Sequence, residues 1–166
     1  MKKTIGFCTI FLIIFTAFLN NYTQVSKAKN ISDSGDGGEI LIGVEDCGEN
    51  LVLYTYISYN TTNEKSVNAG SVTKTYRYML ADVEVLVIKY TVSYSYGHSD
   101  GIARISSSSY QITKLLSGWG VSVSNFTKSH VNGEPAIATL SFTLTRDGSP
   151  SNKSIVIHCK NNGNAY

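Results

Sequence analysis

Glu84 to Tyr96 reads EVLVIKYTVSYSY, and its alternation decides the fold. Leu86, Ile88, Tyr90, Val92, Tyr94 and Tyr96 fall on one face at period two. The opposite face starts apolar at Val85 and Val87 and turns polar through Lys89, Thr91, Ser93 and Ser95. That is the signature of a β-strand with one buried side. No Gly, Pro, Asn or Asp interrupts the run. Its residues, at about 3.3 Å each, extend roughly 43 Å, about twice an ordinary strand. Such a length predicts strong twist, a bulge or an overhang.

The same punctuation continues outward in both directions. Gly97-His98-Ser99-Asp100-Gly101 is a turn with glycine at each end, which predicts a hairpin onto Ile102 to Ile112 with Tyr96 near Ile102. Trp119 to Phe126 follows as a strand, and its single tryptophan is expected to be buried beside Tyr90 and Tyr94. Asn132-Gly133 and Pro135 mark a turn. Ala136 to Thr145 alternates, Arg146 to Asn152 reads as a turn, and Ser154 to Cys159 ends the series with Ile155, Ile157 and Cys159 inward. Upstream, Ile40 to Val44, Leu51 to Tyr59 and Ser71 to Met79 read as strands, with Asn60 to Gly70 a polar loop.

Seven or eight strands separated by turn signals, with no helical period among them, predict an all-β fold: a single antiparallel β-sandwich, Ig-like in architecture, with a small closed barrel as the alternative. Composition agrees. Of the 166 residues 42% are hydrophobic, 16% are charged, and 11 are Tyr, which favours strands and excludes a coiled coil or a long disordered tail.

The N-terminus reads differently. Lys2-Lys3 precedes an apolar run from Ile5 to Leu19, which as a helix spans roughly 22 Å, short of a bilayer core of about 30 Å. Ser26-Lys27-Ala28 puts small residues where a signal peptidase cuts, so residues 1–28 are expected to be a signal peptide cleaved after Ala28 and the protein secreted. An uncleaved N-terminal anchor is the alternative, and the only route to a membrane. Residues 29–39 are polar and are expected to form a flexible arm; Asp33, Asp36 and Glu39 lack the alternating spacing of a calcium loop. One domain, residues 40–166, remains. Without Lys2, Lys3 and Lys27 the chain holds 11 basic residues against 12 acidic ones, scattered singly, which gives no basic surface for nucleic acid.

From Val72 onward the chain resembles a group of small secreted Gram-positive bacterial proteins of uncharacterised function. The resemblance rests on Lys74-Thr75-Tyr76, Tyr94-Ser95-Tyr96 with the glycine-bounded turn after it, the serine-rich strand, Gly118-Trp119, and the terminal C-x-x-N-G of Cys159 to Gly163. It implies a secreted β-sandwich and supplies no activity.

Little in the chain points to catalysis. His98, His130 and His158 have no metal-pair spacing, Cys47 and Cys159 have no C-x-x-C partner, and Ser106 to Ser109 has no G-x-S-x-G elbow. No metal site and no cofactor are read from the sequence. The expected function is a non-enzymatic extracellular module for a cell-wall polymer, glycan or protein, with Tyr54, Tyr56, Tyr76 and Tyr78 as a possible stacking platform if they escape the core. A secreted hydrolase with a dispersed site, or an effector or immunity-type protein with one protein partner, are the alternatives. Removal of Cys8 with the leader would leave Cys47 and Cys159 as an even pair, which predicts a disulfide; two separate buried thiols are the other reading.

Overall fold

The computed structural model describes residues 38–62, 68–131 and 134–166. The leader with Cys8, Asp33 and Asp36 of the arm, the centre of the expected 60–70 loop and the Asn132-Gly133 turn lie outside the described residues. Eight strands are present among the described residues: β1 (Ile40–Asp46), β2 (Leu51–Thr62), β3 (Asn68–Leu80), β4 (Val83–Tyr96), β5 (Arg104–Leu115), β6 (Trp119–Ser129), β7 (Ala136–Arg146) and β8 (Ser149–Cys159). They form two antiparallel sheets, β1-β2-β3-β4-β5 and β6-β7-β8, and belong to one compact unit. Every neighbour in a sheet is also a neighbour in the chain. This meander differs from the Greek-key connections of immunoglobulin domains.

The inward faces of the two sheets supply one buried cluster. Val72, Tyr78, Leu86, Ile88, Tyr90 and Val92 come from the larger sheet, and Ala138, Leu140, Phe142, Ile155 and Ile157 from the smaller. The long strand β4 is interior, paired along its length with β3 and β5. Register shifts at Val87/Ile88 and Ser93/Tyr94 against β5, and at Tyr78/Met79 against β3, accommodate its length. The Gly97 to Gly101 turn closes the β4–β5 hairpin, with Ser95 opposite Arg104.

Two turns are poorly signalled in the sequence. Between β3 and β4 the reversal is made by Ala81 and Asp82, at φ 46° and 66°. Positive φ at both central residues is the geometry of a two-residue hairpin loop, here without the Asn-Gly that usually announces it. The expected turn from Arg146 to Asn152 shrinks to Asp147 and Gly148, also at positive φ, and β8 starts at Ser149. Pro150 sits opposite Thr145 within that strand; β8 is an edge strand, where a missing N–H is tolerated.

Trp119 is only half-buried, with the Arg146 guanidinium 5.6 Å from its ring centre. The ring beside Tyr90 is Phe126, at 6.3 Å. Trp119 opens β6 at the turn end of its sheet, opposite Arg146, too near the rim to reach the core centre.

The expected disulfide is not formed: Cys47 and Cys159 are both free thiols. Cys47 lies in the field of Lys153 on β8. Cys159 stands six residues farther along that strand, about 20 Å from Lys153 at strand rise, and a disulfide needs Cα atoms within about 7 Å. Burial pushes both thiols up, Cys159 to about 12.

Several residues of the motifs that carried the resemblance form the joint between the sheets. Lys74 and Tyr76 point inward from β3 and donate to the open edge of β8: Nζ to the Val156 carbonyl at 2.8 Å, and the phenol to that of Ser154 at 3.3 Å. The C-terminal tail covers the next part of that edge, with His158 and Tyr166 exchanging backbone bonds of 2.9 and 3.0 Å. An otherwise bare strand edge is thereby capped. The Tyr59 and Tyr94 hydroxyls hold the tail at the carbonyls of Ala165 (3.0 Å) and Gly163 (2.6 Å). Asn161 accepts from His98 N at 3.0 Å, donates to His98 O at 2.8 Å, and receives Gly97 N on its own carbonyl. Gly163, at φ 89°, lies so close to Tyr96 that a Cβ would meet the ring at 2.9 Å. Glycine is required there on both counts.

Candidate functional site

Pairing register decides which tyrosines face outward. Tyr54 stands opposite Arg77 and Tyr56 opposite Thr75, while Tyr78 stands opposite Leu53 and Leu86. Residues opposite one another in a ladder share a face. Tyr54 and Tyr56 therefore lie on the outer face of the larger sheet, and Tyr76 and Tyr78 on the inner one. The four do not form one platform. Tyr78 is fully buried, and Tyr76 packs on the core with its hydroxyl at β8.

The outer face is organised around Glu39, which the sequence assigned to the arm. It is 8% exposed. Its carboxylate accepts from Thr75 Oγ1 at 2.8 Å and Arg77 Nη2 at 2.8 Å, with Lys89 Nζ at 3.6 Å. Arg77 Nη1 continues to Glu84 at 3.1 Å, and Lys114 completes the network at 3.9 Å. The Arg77 guanidinium also lies 5.2 Å from the Tyr56 ring centre. Burial alone would raise the Glu39 pKa, but the bonds from Arg77 and Thr75 and the charges of Arg77 and Lys89 outweigh it and hold the carboxyl below its ordinary range. Val87, between Arg77 and Lys114 in register, is 3% exposed on this polar face. The aliphatic stems of those long side chains suit such a position.

Beside this network is a cleft of about 260 Å³. Its floor is a cross-strand row, Ser58–Thr73–Thr91–Ser109, running over β2, β3, β4 and β5 in register. Glu39, Lys89 and Gln111 border it on one side. A second row, Asn60–Ser71–Ser93–Ser107, follows on the other. Thr73 and Thr91 share a bond of 2.8 Å. The smaller sheet has a wider hollow of about 580 Å³ that includes Ser124, Ser141, Thr143 and Asn152. There the polar groups bond to one another, Ser124 to the Ser141 carbonyl at 3.1 Å and Thr143 to Asn152 at 2.9 Å.

The histidines have local partners. Ser95 Oγ and His98 Nε2 are 2.8 Å apart in the β4–β5 turn, His130 Nε2 accepts from Ile105 N at 2.9 Å, and His158 stacks on Tyr166 at 5.0 Å. Asp100, beside His98 in sequence, is engaged by Arg104 and by the Ile102 amide at 3.1 Å. Neither Ser95 nor His98 lines either hollow. Among the described residues no three His, Cys, Asp or Glu side chains come together as a metal site.

No protein-family model, curated protein or solved structure matches the chain.

Proposed function

We propose that the protein is a secreted, non-enzymatic binding module that presents the outer face of its five-stranded sheet to a polymer or protein of a cell surface. Residues 1–28 are its export signal, removed after Ala28; a polar arm follows and gives way at Glu39 to a β-sandwich domain. The observation that carries this reading is the placement of Tyr54 and Tyr56 on the outer face, next to the hydroxyl-floored cleft and the Glu39–Arg77 network. Aromatic rings beside hydrogen-bonding groups are what sugars and peptide surfaces engage. The hydrolase alternative draws less support, since the close Ser95–His98 pair lies outside both hollows.

Retention of the protein on a panel of purified surface polymers and proteins tests the proposal. Binding to at least one, lost in Tyr54→Ala/Tyr56→Ala and kept in Tyr76→Phe, supports it. No retention on any of them overturns it. An N-terminus other than Lys29 on protein recovered from culture medium overturns the processing part alone.

A further inference from the structure

We infer that the ligand of the outer face is a neutral, hydroxyl-rich polysaccharide, bound along the Ser58–Thr73–Thr91–Ser109 row. The inference rests on the binding reading above and adds the chemical class. Three observations carry it.

The first is hydrogen-bonding capacity. The hydroxyls of Ser58, Ser71, Ser93, Ser107 and Ser109 make no hydrogen bond among the described residues, whereas Ser124 and Thr143 on the smaller sheet do. Each free hydroxyl offers one donor and two acceptor positions. Backbone groups in the middle of a sheet are already paired, so side chains alone read whatever lies on this face.

The second is charge. The two rows contain no ionisable side chain. The cations that border them have anionic partners: Lys89 lies 3.6 Å from Glu39 on one side, and Arg104 is paired with Asp100 on the other, while Arg77 and Lys114, one row beyond Lys89, are held by Glu39 and Glu84. An anionic polymer would have to compete with the Glu39 carboxylate for Lys89, 3.6 Å from it, and would meet the negative charge of Glu39 at the same border. A neutral ligand meets no such barrier.

The third is shape. At 4.7–4.9 Å between strands, four strands place their hydroxyls over roughly 14 Å, and the second row lies about 6.6 Å away along the strands. That is a regularly spaced lattice of like groups, suited to a repeating chain rather than one small molecule. Tyr56 lies two residues from Ser58 on the same face of β2, where a ring can stack on a sugar at the end of the row.

Titration calorimetry of the protein against neutral glucan, mannan and N-acetylglucosamine oligosaccharides, a uronic-acid polymer, and a glycerol-phosphate polymer tests the class. A neutral oligosaccharide is expected to bind with an affinity nearly independent of salt. Thr73→Val/Thr91→Val, which keeps shape and strand preference while removing two hydroxyls, is expected to weaken it about tenfold without lowering the unfolding temperature. An unchanged affinity in that variant overturns the row as the site. Binding only to an anionic polymer or to a protein, still dependent on Tyr54 and Tyr56, overturns the neutral class and leaves the binding face standing. Failure to bind any polymer or protein overturns both.

Discussion

At Glu39, burial and charge pull in opposite directions. Burial raises its pKa; the bonds from Arg77 and Thr75, with the charges of Arg77 and Lys89, more than reverse that. In the unfolded chain this carboxyl takes up a proton near its ordinary value of 4.5, and in the folded chain only at lower pH. The folded state binds fewer protons between those points, so the stabilisation is complete above 4.5 and fades as pH falls through the lower value. Glu39→Gln is expected to lower stability at neutral pH by about 1.5 kcal/mol, near the low end for charged hydrogen bonds, because the Arg77 side chain is 33% exposed. Denaturant unfolding should also show a flatter decline below pH 4.5 in the variant; an unchanged acid limb would contradict the assignment. At Asn161 the side chain bonds both backbone groups of His98. Asn161→Ala should cost about 1–3 kcal/mol, measured the same way, and an unaltered midpoint would show the clamp to be without effect.

Among the elements, the turn at Ala81 and Asp82 holds two non-glycine residues at positive φ. The left-handed region costs an ordinary residue about 1 kcal/mol or more. Ala81→Asn with Asp82→Gly supplies the residues this loop prefers and is expected to raise stability by about 1 kcal/mol; a lower unfolding temperature would contradict the turn geometry. This turn shows where the sequence stops being readable. The strands were legible because alternation is a local property: the inward set of β4 from Leu86 to Tyr94 follows from parity alone. Ala-Asp carries no turn signal, since the tightly paired strands on either side, not the two residues, impose the conformation. The Arg146 to Asn152 segment fails in the other direction, because Ser, Pro and Asn look like loop residues until pairing with β7 draws them into a strand.

For the molecule as a whole, the limit of the sequence lies in register. Tyr54 and Tyr56 share a face of their strand, and so do Tyr76 and Tyr78, but nothing local tells whether the two faces coincide. Opposition of Leu53 to Tyr78 settles that they do not. Glu39 was hidden for the same reason: its partners are brought to it from β3 and β4. The tail motif was visible as a pattern, and its role as the clasp between sheets only emerges once β8 lies against β3. The separation of the cysteines is likewise a whole-molecule property. Alkylation of a denatured, unreduced chain that starts at Lys29, and so lacks Cys8, is expected to add two groups, and no addition would restore the disulfide. The most direct test of the central claim, that the outer face of the larger sheet is the binding surface, uses threonine methyl groups as reporters. In methyl-labelled protein titrated with its best-retained ligand, Thr73 and Thr91 are predicted to shift while Thr139, Thr143 and Thr145 on the smaller sheet do not; shifts confined to those three, with Thr73 and Thr91 unmoved, would contradict the account.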